Sequence, residues 1–122
     1  MRWTIPAFLL LAALPGCLSE EETLTLRVLE CGPSAQDVAV RLEGRSMAPD
    51  FRFEVRSDLG SAVWQNHTVR SGDYDVTATA GGAQAEMHLQ VPNDVAGHTV
   101  EVMLDRGEVV LGSTVPLACP TR

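Results

Sequence analysis

The chain has no lysine: its nine basic side chains are all arginine, and they stand against sixteen aspartates and glutamates. Those arginines are scattered between acids rather than clustered. Affinity for nucleic acid comes from basic side chains gathered to neutralise phosphates, so a nucleic-acid partner is excluded. Aromatic residues are also scarce, at 5%. Long apolar runs are missing too. The longest stretch, Ile5 to Leu14, is about half of the roughly 20 residues that a membrane-crossing helix needs. Catalytic signatures are lacking as well. There is no G-x-S-x-G elbow, no phosphate-binding glycine loop and no H-E-x-x-H. No serine stands in a motif that would put a base beside it, so no enzymatic activity is expected. A blue-copper centre is ruled out because Cys119 is followed only by Pro120, Thr121 and Arg122. No cofactor is implied.

What the chain does have begins at its N-terminus. Met1-Arg2-Trp3-Thr4 carries one positive charge, the apolar run Ile5 to Leu14 follows, and Leu14-Pro15-Gly16-Cys17 ends it. A short basic segment, an apolar core and a small residue before a cleavage point make a secretory signal. Leu14, Gly16 and Cys17 resemble the lipobox of prokaryotic lipoproteins, which implies cleavage before Cys17 and acylation of its thiol. Residues 1–16 are therefore expected to be a lipoprotein signal peptide and 17–22 an acylated cysteine with an acidic tether, Glu20-Glu21-Glu22. Residues 23–122 are left as one domain. Cleavage would leave 106 residues, enough for a single core, with eight arginines against sixteen acids and so a net charge of −8. The protein would be exported and held by lipid at the outer face of the cell membrane, or in the periplasm or outer membrane.

Assigning Cys17 to lipid leaves Cys31 and Cys119 as an even pair in an oxidising compartment, where a disulfide is expected. A bridge closing so long a loop would stabilise the fold by about 4 kcal/mol at most.

Alternation with period two dominates the rest, and no segment keeps a helical spacing. Leu24, Leu26 and Val28 mark a strand over about 23–30, and Val38, Val40 and Leu42 mark a second. Phe51, Phe53 and Val55 mark a third, and a shorter one lies near Ala62 to Gln65. Tyr74 to Val91 reads as a hairpin turning at Gly81-Gly82, since two glycines accept the positive φ of a tight primed turn. Val100, Val102 and Leu104 form the next strand, and Asp105-Arg106-Gly107 turns into Val109-Val110-Leu111. Seven or eight short antiparallel strands with turns at this spacing predict a single all-β sandwich.

Gly72-Asp73-Tyr74-Asp75-Val76 is similar to the G-x-Y-x-V corner of immunoglobulin-like and prealbumin-like sandwiches. The resemblance implies that the Tyr74 ring packs at the sandwich end while its hydroxyl bonds upstream backbone. The Cys…Trp…Cys pattern of antibody domains is absent, and Val76 stands where their second cysteine would be. A likeness of fold carries no function.

Hairpin arithmetic yields one candidate site. With Gly81-Gly82 as a two-residue turn, Asp75 faces His88. With Pro92 to Gly97 as the next turn, His88 faces Glu101. Asp75, His88 and Glu101 would then make one outward row, a candidate metal or pH-sensing site, because a histidine between carboxylates gains from its charged form. His98 has the opposite parity and His67 precedes the tyrosine corner, so the histidines do not converge as a zinc site does. Trp64 shares parity with Ala62 and is expected in the core. Asn66-His67-Thr68 matches the glycosylation sequon. Arg52, Glu54 and Arg56 alternate in sign along an outer face. The function expected is a binding or structural module anchored to the membrane through Cys17, with an envelope protein as partner. Its candidate surfaces are the loops Gly44–Asp50 and Pro92–Gly97.

Overall fold

A computed structural model describes residues 21–93, 97–113 and 115–121; Cys17 and the expected signal segment lie outside them. The described residues form eight strands and no helix. They are β1 (Glu21–Glu30), β2 (Asp37–Gly44), β3 (Phe51–Arg56), β4 (Val63–Arg70), β5 (Gly72–Ala80), β6 (Ala83–Val91), β7 (His98–Asp105) and β8 (Glu108–Gly112). Two four-stranded sheets pack face to face, one in the order β4-β1-β7-β8 and the other β3-β2-β5-β6. The expected all-β sandwich is therefore the fold.

The alternating apolar residues meet between the sheets. Leu24, Leu26 and Val28 of β1 and Val100, Val102 and Leu104 of β7 face Val38, Val40 and Leu42 of β2 and Val76 and Ala78 of β5, all buried. Both tight turns fall where the sequence places them. Gly81 and Gly82 have φ of 55° and 86° between the paired residues Ala80 and Ala83. Arg106 and Gly107, at 50° and 82°, join Asp105 to Glu108. Positive φ at both central positions matches the right-handed twist of the flanking strands.

Four features differ from the sequence reading. β1 begins at Glu21 because Glu21 and Glu22 pair with Arg70 and Val69, so two of the three tether glutamates belong to the sheet. β4 runs to Arg70 because it pairs with β1 along its length. Its inward positions include Gln65 and His67, which blur the alternation. Register also corrects Trp64: Val28 opposite Val63 and Arg27 opposite Trp64 turn the indole outward, where it is 61% exposed. Finally, β7 does not form a hairpin with β6. It crosses to the other sheet and lies parallel to β1, with Arg27 opposite Glu101. Pro92 has no N–H with which to extend the β6 ladder, and six residues suffice to change sheets.

The edges of the sandwich are joined differently on its two sides. At the β3–β4 side the His67 ring stacks on Phe53 with centroids 3.9 Å apart, and burial there lowers the imidazole pKa. At one end Tyr74, wholly buried, donates its hydroxyl to the Arg70 carbonyl at 2.6 Å. This is the geometry implied by the tyrosine corner. Gly72 permits it with a φ of 152°, where an added Cβ would stand 3.1 Å from that of Ala48. Replacing Tyr74 by Phe leaves the ring in place but orphans a carbonyl. Urea unfolding of Tyr74→Phe is expected to show a loss of about 1–2 kcal/mol with an unchanged m-value.

Candidate functional site

The sandwich has two ends. Glu21 opposite Arg70, Gly44 opposite Tyr74 and Gly72 opposite Val91 put the start of β1 at the same end as the loop 44–50 and Pro92. The opposite end holds the Gly81-Gly82 and Arg106-Gly107 turns and the Cys31–Cys119 disulfide.

At the first end, the loop after β2 is held by its own backbone. Asp50 accepts from the Gly44 N–H at 2.8 Å, and the Arg45 N–H donates to the Asp73 carbonyl at 2.9 Å. A cleft of about 640 Å³ opens between this loop, Ser71–Asp73 and Gln90–Pro92, and Met47 stands 95% exposed at its rim. The first loop surface singled out in the sequence thus borders this cleft, and Pro92, where the second begins, lines it.

The predicted row does not assemble. Asp75 and His88 are paired as expected, with Nδ1 3.8 Å from the Asp75 carboxylate and Nε2 4.0 Å from Asp73. Glu101 lies in the other sheet and is 4% exposed. The correction follows from the crossing of β7: the parity assigned to Glu101 was right, its neighbour was wrong. In its place Arg45 grips Asp75, Nε and Nη2 donating to the two carboxylate oxygens at 3.1 and 2.7 Å. A guanidinium on both oxygens occupies the positions a cation would need. Among the described residues, no group of three His, Cys, Asp or Glu side chains is placed to hold a metal. The remainder of this face is a solvated set of opposite charges, with Arg41 on Glu43 and Arg56 on Asp37 at 2.9 Å, pairs worth little in water.

Glu101 instead joins a polar cluster on the outer face of the other sheet. Arg27 Nη1 lies 2.5 Å from Glu101 Oε1 and 3.1 Å from the Leu117 carbonyl, while the Leu117 N–H donates back to Glu101 at 3.3 Å. The C-terminal tail therefore lies across the outer face of β1 and β7 and buries Glu101. Leu117 packs over Gly112, and the tail ends in the disulfide, S–S 2.01 Å. The guanidinium also sits 5.4 Å from the centroid of the Trp64 ring. Sequence reasoning missed this cluster because its members lie 74 and 90 residues apart. Only the predicted disulfide hinted that the tail returns to β1.

A second buried carboxylate lies near the bridge. Glu30 accepts from Ser57 Oγ at 2.8 Å and from the Gly32 N–H at 3.0 Å, fixing the turn after β1. Asn66 of the sequon lies mid-strand on the outer face, its Oδ1 accepting from Thr25 Oγ1 at 2.8 Å.

No protein family, curated protein or solved structure is matched by this chain.

The Asp75–Arg45 pair gives a titration test. The hydrogen bond from Arg45, with its positive charge, holds the Asp75 carboxyl below its ordinary value of 3.8. Its folded-state pKa is depressed, so its contribution is complete above the unfolded value and is lost as pH falls through the folded one. Carbon-detected NMR titration is expected to give Asp75 a midpoint below the ordinary carboxyl value. Arg45→Gln should raise that midpoint.

Proposed function

We propose that the protein is a lipid-anchored, non-catalytic β-sandwich module of the cell envelope, which binds a protein partner or supports a larger assembly there. The observation that carries this reading is the disulfide. Cys31 and Cys119 consume two of the three cysteines, and the one left over is Cys17, at the end of the apolar N-terminal run. An oxidised pair fits an exported protein. An odd cysteine after a lipobox-like sequence fits an acylation site.

β1 begins at Glu21, so the segment from Cys17 to Glu20 spans at most about 14 Å even when fully extended. Acylation at Cys17 would hold the 44–50 end of the sandwich close to the membrane, with two or more acyl chains sufficient for stable anchoring. The cleft beside Met47 would then serve a partner that itself lies at the membrane, and the disulfide end would point away. Of the two sandwich families that the tyrosine corner resembles, the strand order favours the prealbumin-like one. Immunoglobulin constant domains keep their first two strands adjacent in one sheet, whereas here β1 lies between β4 and β7.

Intact mass of the protein taken from native membranes tests the proposal. The expected result is loss of residues 1–16, a diacylglycerol-sized addition at Cys17, and a gain of two hydrogens on reduction. Cys17→Ser should shift the protein from the membrane to the soluble fraction without changing its unfolding midpoint. A membrane-derived protein whose mass shows no lipid would overturn the anchor.

A further inference from the structure

The two outer faces of the sandwich differ in chemistry. The β3-β2-β5-β6 face carries exposed or half-buried Arg41, Glu43, Arg52, Glu54, Arg56, Asp75 and Glu86. On the β4-β1-β7 face, two rows between the Glu21–Arg70 pair and the Arg27–Glu101 pair contain no charge: Thr23 beside Thr68, and Thr25 between Asn66 and Thr99. In a chain with a net charge of −7, an uncharged patch built from hydroxyl and amide side chains calls for explanation. An exposed indole, Trp64, borders it.

From this arrangement we infer that the Trp64 face is a binding platform for a neutral carbohydrate chain. A pyranose ring offers two kinds of surface, axial C–H groups that stack on an aromatic face and a rim of hydroxyls that both donate and accept. Trp64 supplies the aromatic surface, and the Arg27 guanidinium 5.4 Å from its centroid holds the ring in one orientation at little cost in side-chain entropy on binding. The Thr99 hydroxyl and the Asn66 amide can donate to and accept from sugar hydroxyls, and Thr25, whose proton goes to Asn66, can accept. The Thr25 bond to Asn66 Oδ1 fixes the orientation of that amide in advance.

Depth comes from the tail. Val115 and Pro116 lie with Trp64, Thr99, Glu101, His98 and Gln90 along a groove of about 410 Å³, and the Thr25–Asn66 row adjoins it through Thr99. That volume lies in the range of small-ligand sites. The absence of exposed carboxylates in the two rows spares a neutral ligand the desolvation of unpaired charges. Trp64 stands near the start of β4, toward the disulfide end, so an anchor at Cys17 would leave it facing away from the membrane. The inference does not depend on that anchor.

Trp64 is also the reporter, with the other tryptophan of the chain removed by Trp3→Phe. The full protein, extracted in a phosphocholine detergent whose headgroup carries no sugar, is titrated with chitotetraose, cellotetraose and maltotetraose. Tryptophan emission is followed up to about 10 mM, beyond which affinity is negligible. A saturable change with at least one of the three is expected. By calorimetry, Trp64→Ala should bind that sugar roughly tenfold or more weakly, as loss of a central aromatic does. Its urea midpoint should be unchanged. If Trp64→Ala weakens the fold, Thr25→Val keeps the test, because it leaves the indole and Arg27 in place and should also weaken binding. No saturable change with any of the three sugars, or full binding by both variants, would overturn the inference.

Discussion

The contact between Arg27 and Glu101 depends on three separate parts of the chain, β1, β7 and the C-terminal tail. It exists only if β7 leaves the β6 hairpin, crosses between the sheets and lies parallel to β1 in one register. It is complete only when the tail returns over the face, because Leu117 uses both its N–H and its carbonyl on the pair. A charged pair sheltered from water costs several kcal/mol in desolvation, and the cost is recovered only when hydrogen bonds satisfy what remains. Here the tail backbone and the Trp64 ring provide those partners. Removing one member would leave a carboxylate or a guanidinium in a partly dry site.

The disulfide and the ion pair divide the work of holding the tail. Cys119 fixes its end to the residue after β1, and a loop of this length gains most from closure. Leu117 fixes its middle. Without the bridge, the ion pair would have to order the tail against its full chain entropy. Without the ion pair, a tethered tail could lie anywhere across the sheet. Together they convert an open sheet face into a groove bounded by Trp64 on one side and Val115 and Pro116 on the other.

Local features were legible in the sequence, and partnerships across the fold were not. β2, β3 and the β5–β6 hairpin follow from alternation and from two glycines whose φ values only a primed turn requires. Tyr74 and the Cys31–Cys119 pair were also legible, one by a short pattern and the other by counting cysteines against compartment. Alternation states which face a residue takes, but not which strand lies beside it. Glu101 was correctly placed outward and wrongly given His88 as its neighbour, because a six-residue connection serves a hairpin and a sheet change equally well. Trp64 failed for the opposite reason. Its strand has Gln65 and His67 at inward positions, so the parity that hydrophobicity suggests is reversed by pairing with β1. In both cases a long-range contact overrode a local pattern, and in both the misplaced residue belongs to the Arg27 cluster.

The charge asymmetry of the faces follows from the same topology. Arg45 on Asp75 leaves one face as a set of solvated pairs, while on the other Arg27 and Glu101 cancel each other beneath the tail, next to two rows that carry no charge. A double-mutant cycle on Arg27→Met and Glu101→Gln, read by urea unfolding with Trp64 emission as the probe, tests the dependence most directly. The account predicts a coupling energy of about 1–3 kcal/mol, as for contacting residues in one network. It also predicts that either single change alters the native-state emission of Trp64. Single-mutant effects that add to within about 0.5 kcal/mol, with native emission unchanged, would contradict it.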